Sequence, residues 1–172
     1  MDFFTSSLLT TSMTDIVEIE NFLSEDECNK LIEMHTKLFA HRGKIHNETE
    51  VLNVMYMLLY DGKDDIFIKY IHGKITEHIK AIDKSSFIDF FEVVRWKEKL
   101  CMGKHFDFDF HKWTSVIYLN DDYEGGETAV GEDTITPLKG KIVTFQGPSV
   151  LHGVNKVLKG DRYTAPVWYR SA

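Results

Sequence analysis

A chain of 172 residues is long enough for one hydrophobic core and too short for two ordinary domains. Its hydrophobic content of 43% and aromatic content of 13% exclude a disordered chain. The formal net charge of −7 argues against a nucleic-acid partner, because phosphate backbones are bound mainly through an excess of lysine and arginine.

The N-terminal residues lack the pattern of a secretory signal. Asp2 precedes a short apolar patch that no lysine or arginine introduces, and no clear cleavage site follows. No apolar run approaches the length of a transmembrane helix. Cys28 and Cys101 are too few and too far apart for a disulfide framework or a zinc knuckle. We therefore expect an intracellular, cytoplasmic protein without a membrane partner, in which residues 1–13 are a poorly specified lead-in.

A first helix is predicted near the N-terminus. Ser24 and Glu27 have the spacing of a capping box, and apolar residues then recur at helical intervals over residues 28–39. Gly43 suits the end of this helix. The apolar segment that follows, residues 50–62, fits a helix or a strand equally well.

A second helix is predicted from about Asp64 to Lys84. Its apolar residues recur at intervals of three and four, which is the period of a helix with one buried face. The predicted inner face consists of Ile66, Tyr70, Ile71, Ile75, Ile79 and Ile82.

From Phe87 onward the sequence consists of short aromatic and β-branched segments between turn signals. Pro166 within the last segment predicts an edge strand or a local break. We expect one domain over residues 14–172, with helices in 24–84 and barrel strands over about 87–170. The helices would pack on one face of a β-sandwich or barrel. The predicted strands are "FIDFFEVVRW", "KHFDFDF", "TSVIYLN", "KIVTFQ" and "RYTAPVWYR".

The segment 105–111 has the clearest chemical signal. As a strand it would place four polar side chains on one face, namely His105, Asp107, Asp109 and His111. Alternate residues of a strand are ~7 Å apart, whereas metal–ligand bonds are ~2 Å long. One ion could therefore take an adjacent pair but not all four, and its other ligands must come from elsewhere in the chain.

A His-x-Asp pair alone carries little weight, because a chain of this composition contains roughly 0.65 such pairs by chance. The C-terminal segment adds more. His152 lies 45 residues after Asp107, and Arg162 lies ten residues after His152. Two histidines and one carboxylate are the facial triad of non-heme Fe(II) oxygenases, which leaves coordination sites for a co-substrate and O₂.

The chain resembles the Fe(II)/2-oxoglutarate-dependent oxygenases, and among them the prolyl 4-hydroxylases. The resemblance runs from "FLSEDECNKLI" to the end and is strongest over residues 105–169. It is carried by "HFD", "SVIYLNDDYEGGET", "PLKGKIVTFQG" and "LHGVNKVLKGDRYTAPVWYR" as an ordered set. It implies a mainly β fold with flanking helices, the double-stranded β-helix, which is a jelly-roll or cupin-like barrel.

The resemblance also implies a metal site. His105, Asp107 and His152 would be the Fe(II) ligands. Asp109 and His111 would be lookalikes at the rim of the site or in solvent.

A co-substrate site is implied in the same way. Arg162 would pair with the distal carboxylate of 2-oxoglutarate, for which a planar guanidinium offers bidentate recognition. Thr164 and Tyr118 would add hydroxyl groups to that carboxylate. Each of these two also fits a plain packing role in a β-rich core.

The implied activity is hydroxylation of an unactivated C–H bond, coupled to decarboxylation of 2-oxoglutarate to succinate and CO₂. The substrate would be a prolyl residue in a peptide or protein, docked on the strand "EVVRW" and residues 50–60. Fe(II), 2-oxoglutarate and O₂ would be required, with ascorbate as a candidate additional cofactor. The alternatives are the same chemistry on a free amino acid or other small molecule, and a non-catalytic metal-binding barrel.

Overall fold

A computed structural model of the chain describes residues 16–55 and 65–172. The predicted lead-in 1–13 and most of the ambiguous segment 50–62 lie outside the described residues. The elements defined within them are β1 Val17–Ile19, α1 Glu25–Arg42, β2 Lys44–His46, β3 Thr49–Asn53, α2 Ile66–Ile82, β4 Ser86–Trp96, β5 Met102–His105, β6 Trp113–Tyr118, β7 Glu124–Gly125, β8 Thr128–Val130, β9 Asp133–Ile135, β10 Ile142–Phe145, β11 His152–Val154, β12 Val157–Lys159 and β13 Arg162–Ser171.

The strands form two facing sheets. The major sheet has the order β1-β10-β6-β13-β4-β3-β2, the minor sheet has the order β5-β11-β8-β9, and β12 pairs with β7. Tyr118 and Phe145 of the major sheet pack against Val130 and Ile135 of the minor sheet. The predicted fold class, a mainly β protein built as a double-stranded β-helix with flanking helices, is confirmed.

Both helices cover the outer face of the major sheet. Leu31 of α1 and Ile71 and Ile75 of α2 belong to one buried cluster with Phe91 of β4 and Val167 of β13. Fully burying a side chain of this size contributes about 1.5–3 kcal/mol. The outer face thus stabilises the fold, and the inner face of the same sheet is left free to line a site.

The second helix buries a different face from the predicted one. Ile71, Ile75 and Ile79 are inaccessible as expected, but Ile66 is 82% exposed and Tyr70 is 52% exposed. At 3.6 residues per turn, Ile66 and Tyr70 lie nearly opposite the buried row. Their assignment to the inner face was therefore wrong, and Ile68, which is 1% exposed, completes the row.

The first helix begins and ends as predicted. The Ser24 side chain accepts a hydrogen bond from the Glu27 amide, and the Ser24 amide donates to Glu27 Oε2 at 2.8 Å. The Gly43 amide donates to the carbonyl of Phe39 at 2.8 Å. Lys74 of α2 reaches Glu27 Oε2 at 3.1 Å, so the cap also joins the two helices.

Four of the five predicted strands are present as β4, β6, β10 and β13. β1 and β2 precede residue 87 and were not expected, whereas β3 covers the start of the segment 50–62 that fitted a helix or a strand. Of the two alternatives predicted for Pro166, an edge strand or a local break, the structure has the local break, because β13 lies between β4 and β6. The break is local: Pro166 pairs with Val116 of β6, whereas the positions paired with β4 pass from Thr164 to Val167.

The predicted strand over 105–111 is also wrong beyond its first residue. β5 ends at His105, and the His111 amide donates to the carbonyl of Phe108 at 3.1 Å, which closes a turn. Phe106, Phe108 and Phe110 are about half exposed or more, at 54%, 71% and 48%. Alternation of polar and apolar residues suggested a strand, but this segment has no second sheet against which the phenylalanines could be buried.

Asp83 joins α2 to two strands of the major sheet. It is the C-terminal cap residue of α2 and pairs with Lys112 Nζ at 2.7 Å. Its carboxylate also accepts hydrogen bonds from the hydroxyls of Ser85 and Ser86, both at 2.8 Å, and from Trp113 Nε1 at 3.2 Å. The Lys112 ammonium and these hydroxyls hold the pKa of Asp83 well below its usual range.

We expect Asp83→Ala to lower the free energy of unfolding by about 2 kcal/mol at pH 7, because several hydrogen bonds to a charged group are lost together. Since the folded pKa lies below the unfolded value of about 3.9, this stabilisation is present above about pH 4 and is lost as the pH falls further. Urea unfolding at pH 7 and pH 3 measures both effects. Asp133→Ala, at an exposed position of β9, is the control and should change neither value. An equal deficit for Asp83→Ala at both pH values would contradict the assignment.

Candidate metal and co-substrate site

Three potential metal ligands converge between the sheets. One ligand atom from each of His105, Asp107 and His152 lies within 4.8 Å of the others, and no other such group of three is found in the described residues. His105 ends β5 and His152 begins β11, and the two are direct cross-strand partners with ring centroids 4.5 Å apart. The antiparallel pairing of two short strands therefore brings residues 47 positions apart into one cluster.

Both imidazoles are oriented in the same way. His105 Nδ1 lies 3.1 Å from the carbonyl oxygen of Gly103, and His152 Nδ1 lies 2.9 Å from that of Val150. Because a carbonyl oxygen can only accept, each Nδ1 carries the hydrogen and each Nε2 presents a lone pair. The Nε2 atoms lie 3.7 Å and 3.4 Å from Asp107 Oδ1. This is the arrangement that metal-binding histidines adopt, so the residues present fit a divalent cation.

Asp107 is held by the chain around it. Its amide donates to the carbonyl of Gly147 at 3.1 Å, and the Thr114 hydroxyl donates to its Oδ2. A Cβ at Gly147 would overlap with both Asp107 Oδ2 and Thr114 Oγ1. The absence of a side chain at residue 147 is thus a requirement of the site.

The charges in the cluster favour an ionised carboxylate. Burial opposes ionisation of Asp107, but the proximity of His152, the hydrogen bond from Thr114 and the proximity of His105 lower its pKa below the usual value. Burial favours neutral His152, but when no metal is bound the Asp107 carboxylate and the Val150 carbonyl stabilise the protonated ring and raise the pKa of His152. The site attracts positive charge, as a cation site must.

The two lookalike residues do not join the cluster. Asp109 is exposed, as expected for a residue in solvent. His111 is only 7% exposed, so it does not lie in solvent; its Nε2 lies 3.0 Å from Asp89 Oδ2, which also accepts from Arg170 Nε at 2.8 Å. His111 therefore helps to fix the turn that follows Asp107 and does not contact the proposed metal ligands.

Arg162 lies 1% exposed at the inner end of the same cavity. It donates to Thr164 Oγ1 at 3.3 Å and to Thr128 Oγ1 at 3.1 Å, and its Nε has no hydrogen-bond partner among the described residues. No carboxylate in the described part of the chain pairs with it. Because a buried charge is costly unless it is paired, this arginine fits an acidic ligand.

The hydroxyl of Tyr118 does not reach the cavity directly. Tyr118 is fully buried and donates to Thr128 Oγ1, the same oxygen that accepts from Arg162. Burial raises the pKa of Tyr118, although the charge of Arg162 opposes this. Thr164, in contrast, lines the cavity beside Arg162, where its hydroxyl is available to an acidic ligand.

Three residues of the site were not singled out from the sequence: Thr114, Thr128 and Tyr123. Thr128 could have been found, because it ends the quoted piece "SVIYLNDDYEGGET". Tyr123 has a buried hydroxyl without a partner among the described residues, and burial raises its pKa despite the nearby charge of Arg162. Thr114 has no sequence signal, since only the fold places it beside Asp107.

One cavity of about 710 Å³ is lined by the three clustered ligands, by Arg162 and by the three threonines, Thr114, Thr128 and Thr164. Aromatic side chains including Phe90 and Phe110 also line it. Lys44 and His46 of the β2–β3 hairpin also line it. The cavity is therefore large enough for a small acid beside the metal ligands and a second molecule beyond them.

The C-terminal half of the chain matches a known family. Residues 91–170 match the model of the 2OG-Fe(II) oxygenase superfamily, and this range includes the three clustered ligands and Arg162. The resemblance expected from the sequence is confirmed. Human prolyl 3-hydroxylase 2 is 34% identical to this chain over 70 residues, which cover 36% of this chain and 10% of that much longer protein.

Solved structures share the fold over most of both chains. A viral collagen prolyl hydroxylase from Paramecium Bursaria Chlorella virus-1, in complex with 2OG, superposes with a TM-score of 0.72 at 22% identity, covering 91% of this chain and 96% of that chain. A prolyl-4-hydroxylase from Pseudomonas putida gives 0.74 at 17% identity, with 91% and 92% covered. A Trichoplax adhaerens prolyl hydroxylase in complex with a hypoxia inducible factor peptide gives 0.73 at 16% identity, with 92% and 84% covered.

In the described residues, neither helix is both long enough and apolar enough to cross a membrane.

We expect Gly147→Ala to weaken metal binding by at least about tenfold, because the new methyl group must displace the Asp107 carboxylate. Calorimetric titration of the metal-free protein with Fe(II) under anaerobic conditions measures this. Gly103→Ala is the matched control, since a Cβ there meets no atom within 4 Å. Equal affinities in the two variants would show that Asp107 does not bind the metal.

Proposed function

We propose that this chain is an Fe(II)- and 2-oxoglutarate-dependent dioxygenase that hydroxylates a prolyl residue in a peptide or protein. The observation that carries the proposal is that one cavity contains both the His–Asp–His cluster and a buried arginine without a carboxylate partner among the described residues. A cluster alone could hold many divalent cations, and a buried arginine alone could bind many acids. The proposal treats residues 14–172 as one catalytic domain.

In this proposal His105, Asp107 and His152 hold Fe(II) through two Nε2 atoms and a carboxylate oxygen. Arg162, with the Thr164 hydroxyl beside it, binds the distal carboxylate of 2-oxoglutarate. When bound, Fe(II), 2-oxoglutarate and O₂ supply the oxidising chemistry, which yields succinate, CO₂ and a hydroxyl group on the substrate carbon. Among the described residues these three form the one such group of ligands. No side chain is assigned as a general acid or base.

The rest of the cavity wall has two tasks. Val94, Val116 and Trp96 present apolar surface between Arg162 and the mouth, which excludes water from the co-substrate. Trp96 also stacks over Arg162, with the guanidinium carbon 5.4 Å from the ring centroid. A cation held against an aromatic face keeps its position in the absence of a counter-ion. These contacts prepare the arginine for its ligand.

A prolyl substrate is supported by the relatives and by the cavity mouth. The human relative is a prolyl 3-hydroxylase, and the three solved neighbours described above are prolyl hydroxylases. Phe106, Phe108 and Phe110 at the mouth are exposed flat rings, and aromatic grooves are the usual docking surface for proline-rich segments. The second candidate, a free amino acid or other small molecule, is favoured only by the enclosed part of the cavity.

The first test is anaerobic. We expect Fe(II) followed by 2-oxoglutarate to give the visible metal-to-ligand charge-transfer band of a chelated 2-oxo acid. Arg162→Gln should still bind Fe(II) but should require at least about tenfold more 2-oxoglutarate for the same band, because the guanidinium contact is lost. Arg170→Gln, which removes a guanidinium from the exposed end of the same strand, is the control. Iron binding without any band would favour the non-catalytic metal-binding barrel.

The second test concerns the substrate. We expect aerobic incubation of the complete system with proline-rich peptides to add one oxygen atom to a prolyl ring, detected by mass spectrometry, with succinate formed in equal amount. NMR of the product assigns the hydroxyl to ring position 3 or 4. Turnover of free proline at a rate equal to that of the peptides would favour the small-molecule alternative instead.

A further inference from the structure

Glu92 lies in an unusual place for a carboxyl group. Residues of β4 alternate between the two faces of the major sheet: Phe91 and Val93 belong to the core beneath the helices, whereas Phe90, Glu92 and Val94 line the cavity. Apart from Asp107, Glu92 is the only acidic side chain among the described residues that line the cavity.

The Glu92 carboxyl is poorly compensated. Its side chain is 13% exposed, and its ion-pair partner, Lys44 Nζ, is 3.9 Å from Oε1. The Lys44 side chain is itself 63% exposed, and such exposed pairs contribute little. No hydrogen bond to the carboxyl is found in the described residues. Burial raises the pKa of Glu92, with Lys44 and His46 opposing the shift.

Aromatic rings lie on the same side of the cavity as Glu92. Phe90 is two residues away on the same face of β4, and Trp168 of β13 is its cross-strand partner. Phe110 and His111 extend the aromatic wall, with ring centroids 4.5 Å apart. A carboxylate beside aromatic faces attracts cations through both charge and cation–π interaction, and it does so more strongly when partly desolvated.

The order of the strands places Glu92 near the proposed metal ligands, although Glu92 is not one of them. Thr114, which donates to Asp107, lies on β6, and β13 separates β6 from β4. Two inter-strand spacings amount to ~10 Å between the β6 and β4 backbones. Val116 and Pro166 occupy the intervening wall. At ~3.5 Å per extended residue, a group bound at Glu92 would therefore lie within about three residues along a peptide from the carbon at the metal.

We propose that Glu92 and the rings around it form a subsite for a positively charged side chain, lysine or arginine, that flanks the target residue of the peptide. This rests on the function proposed above. The substrate supplies the ammonium or guanidinium group that completes the Glu92 carboxylate. Lys44 competes for the same carboxylate from the cavity rim and is displaced towards solvent when the peptide binds.

The test compares three proline peptides that differ at one position beside the target: lysine, norleucine or glutamate. Their affinities for the protein loaded anaerobically with Fe(II) and 2-oxoglutarate are measured by calorimetry. We expect the lysine peptide to bind at least about tenfold more tightly than the norleucine peptide. In Glu92→Gln this preference should fall to about twofold or less, and in Glu92→Lys the glutamate peptide should become the preferred one.

Glu77→Gln, at an exposed position of α2 on the other side of the sheet, is the matched control and should keep the wild-type preference. Lys44→Ala should increase the preference for the lysine peptide, because it removes the competing ammonium. Equal binding of the lysine and norleucine peptides by the wild type, or a preference that survives in Glu92→Gln, overturns the proposal. The charge-transfer band separates this proposal from the proposed function. A band with peptide binding but no lysine preference refutes the subsite alone, a band without any peptide binding refutes the peptide substrate, and a missing band refutes the proposed co-substrate chemistry.

Discussion

The pairing of His105 with His152 across β5 and β11 is the contact on which the site depends. The two strands approach closely because Gly153 has no side chain; a Cβ there would lie 2.7 Å from the carbonyl oxygen of Met102. Each histidine then uses the same local device, in which Nδ1 is bonded to the carbonyl two residues earlier, at Gly103 and at Val150. Ring orientation is therefore set by strand geometry and does not depend on long side-chain networks. A loss of register between these strands would rotate both Nε2 atoms away from Asp107 together.

Asp107 is positioned by a different kind of constraint, and this explains where prediction from the sequence failed. The alternation of residues 105–111 suggested a strand, but the chain leaves the strand at His105 because the Asp107 amide bonds to Gly147. The family resemblance supplied the candidate ligands, the predicted secondary structure of this segment was wrong, and the contribution of Thr114 carried no local signal. The buried residues of α2 show the same limit, since Ile66 and Tyr70 are apolar residues on an exposed face. Apolar periodicity locates a helix more reliably than it selects the buried face when apolar residues occur all around it.

Arg162 serves ligand binding, whereas the strand pairing and the helix packing of β13 stabilise the fold. Among the described residues, the buried guanidinium donates to threonine hydroxyls and pairs with no carboxylate, which is costly in a low-dielectric interior. β13 can carry it because the strand is bonded on both sides, to β4 and to β6, and is covered by the helices on its other face. A ligand that supplies the missing negative charge stabilises the folded chain as it binds. The position of Pro166 is consistent with this, since the local break in pairing lies within the cavity wall and leaves the helix-covered face continuous.

The two faces of β4 also have different roles. One face packs against the helices and stabilises the fold, and the other lines the cavity in which a substrate would bind. Its outward residues, Phe91 and Val93, are fixed by packing against the helices, so their replacement would disturb the whole sheet. Its inward residues, Phe90 and Glu92, contact open cavity and are little constrained by packing. Substitutions on the inward face can therefore change the shape of the cavity while the proposed metal ligands and Arg162, which are held by other strands, keep their places. A double-stranded β-helix is suited to this because one face of a single sheet stabilises the fold, and the opposite face of that sheet selects the ligand.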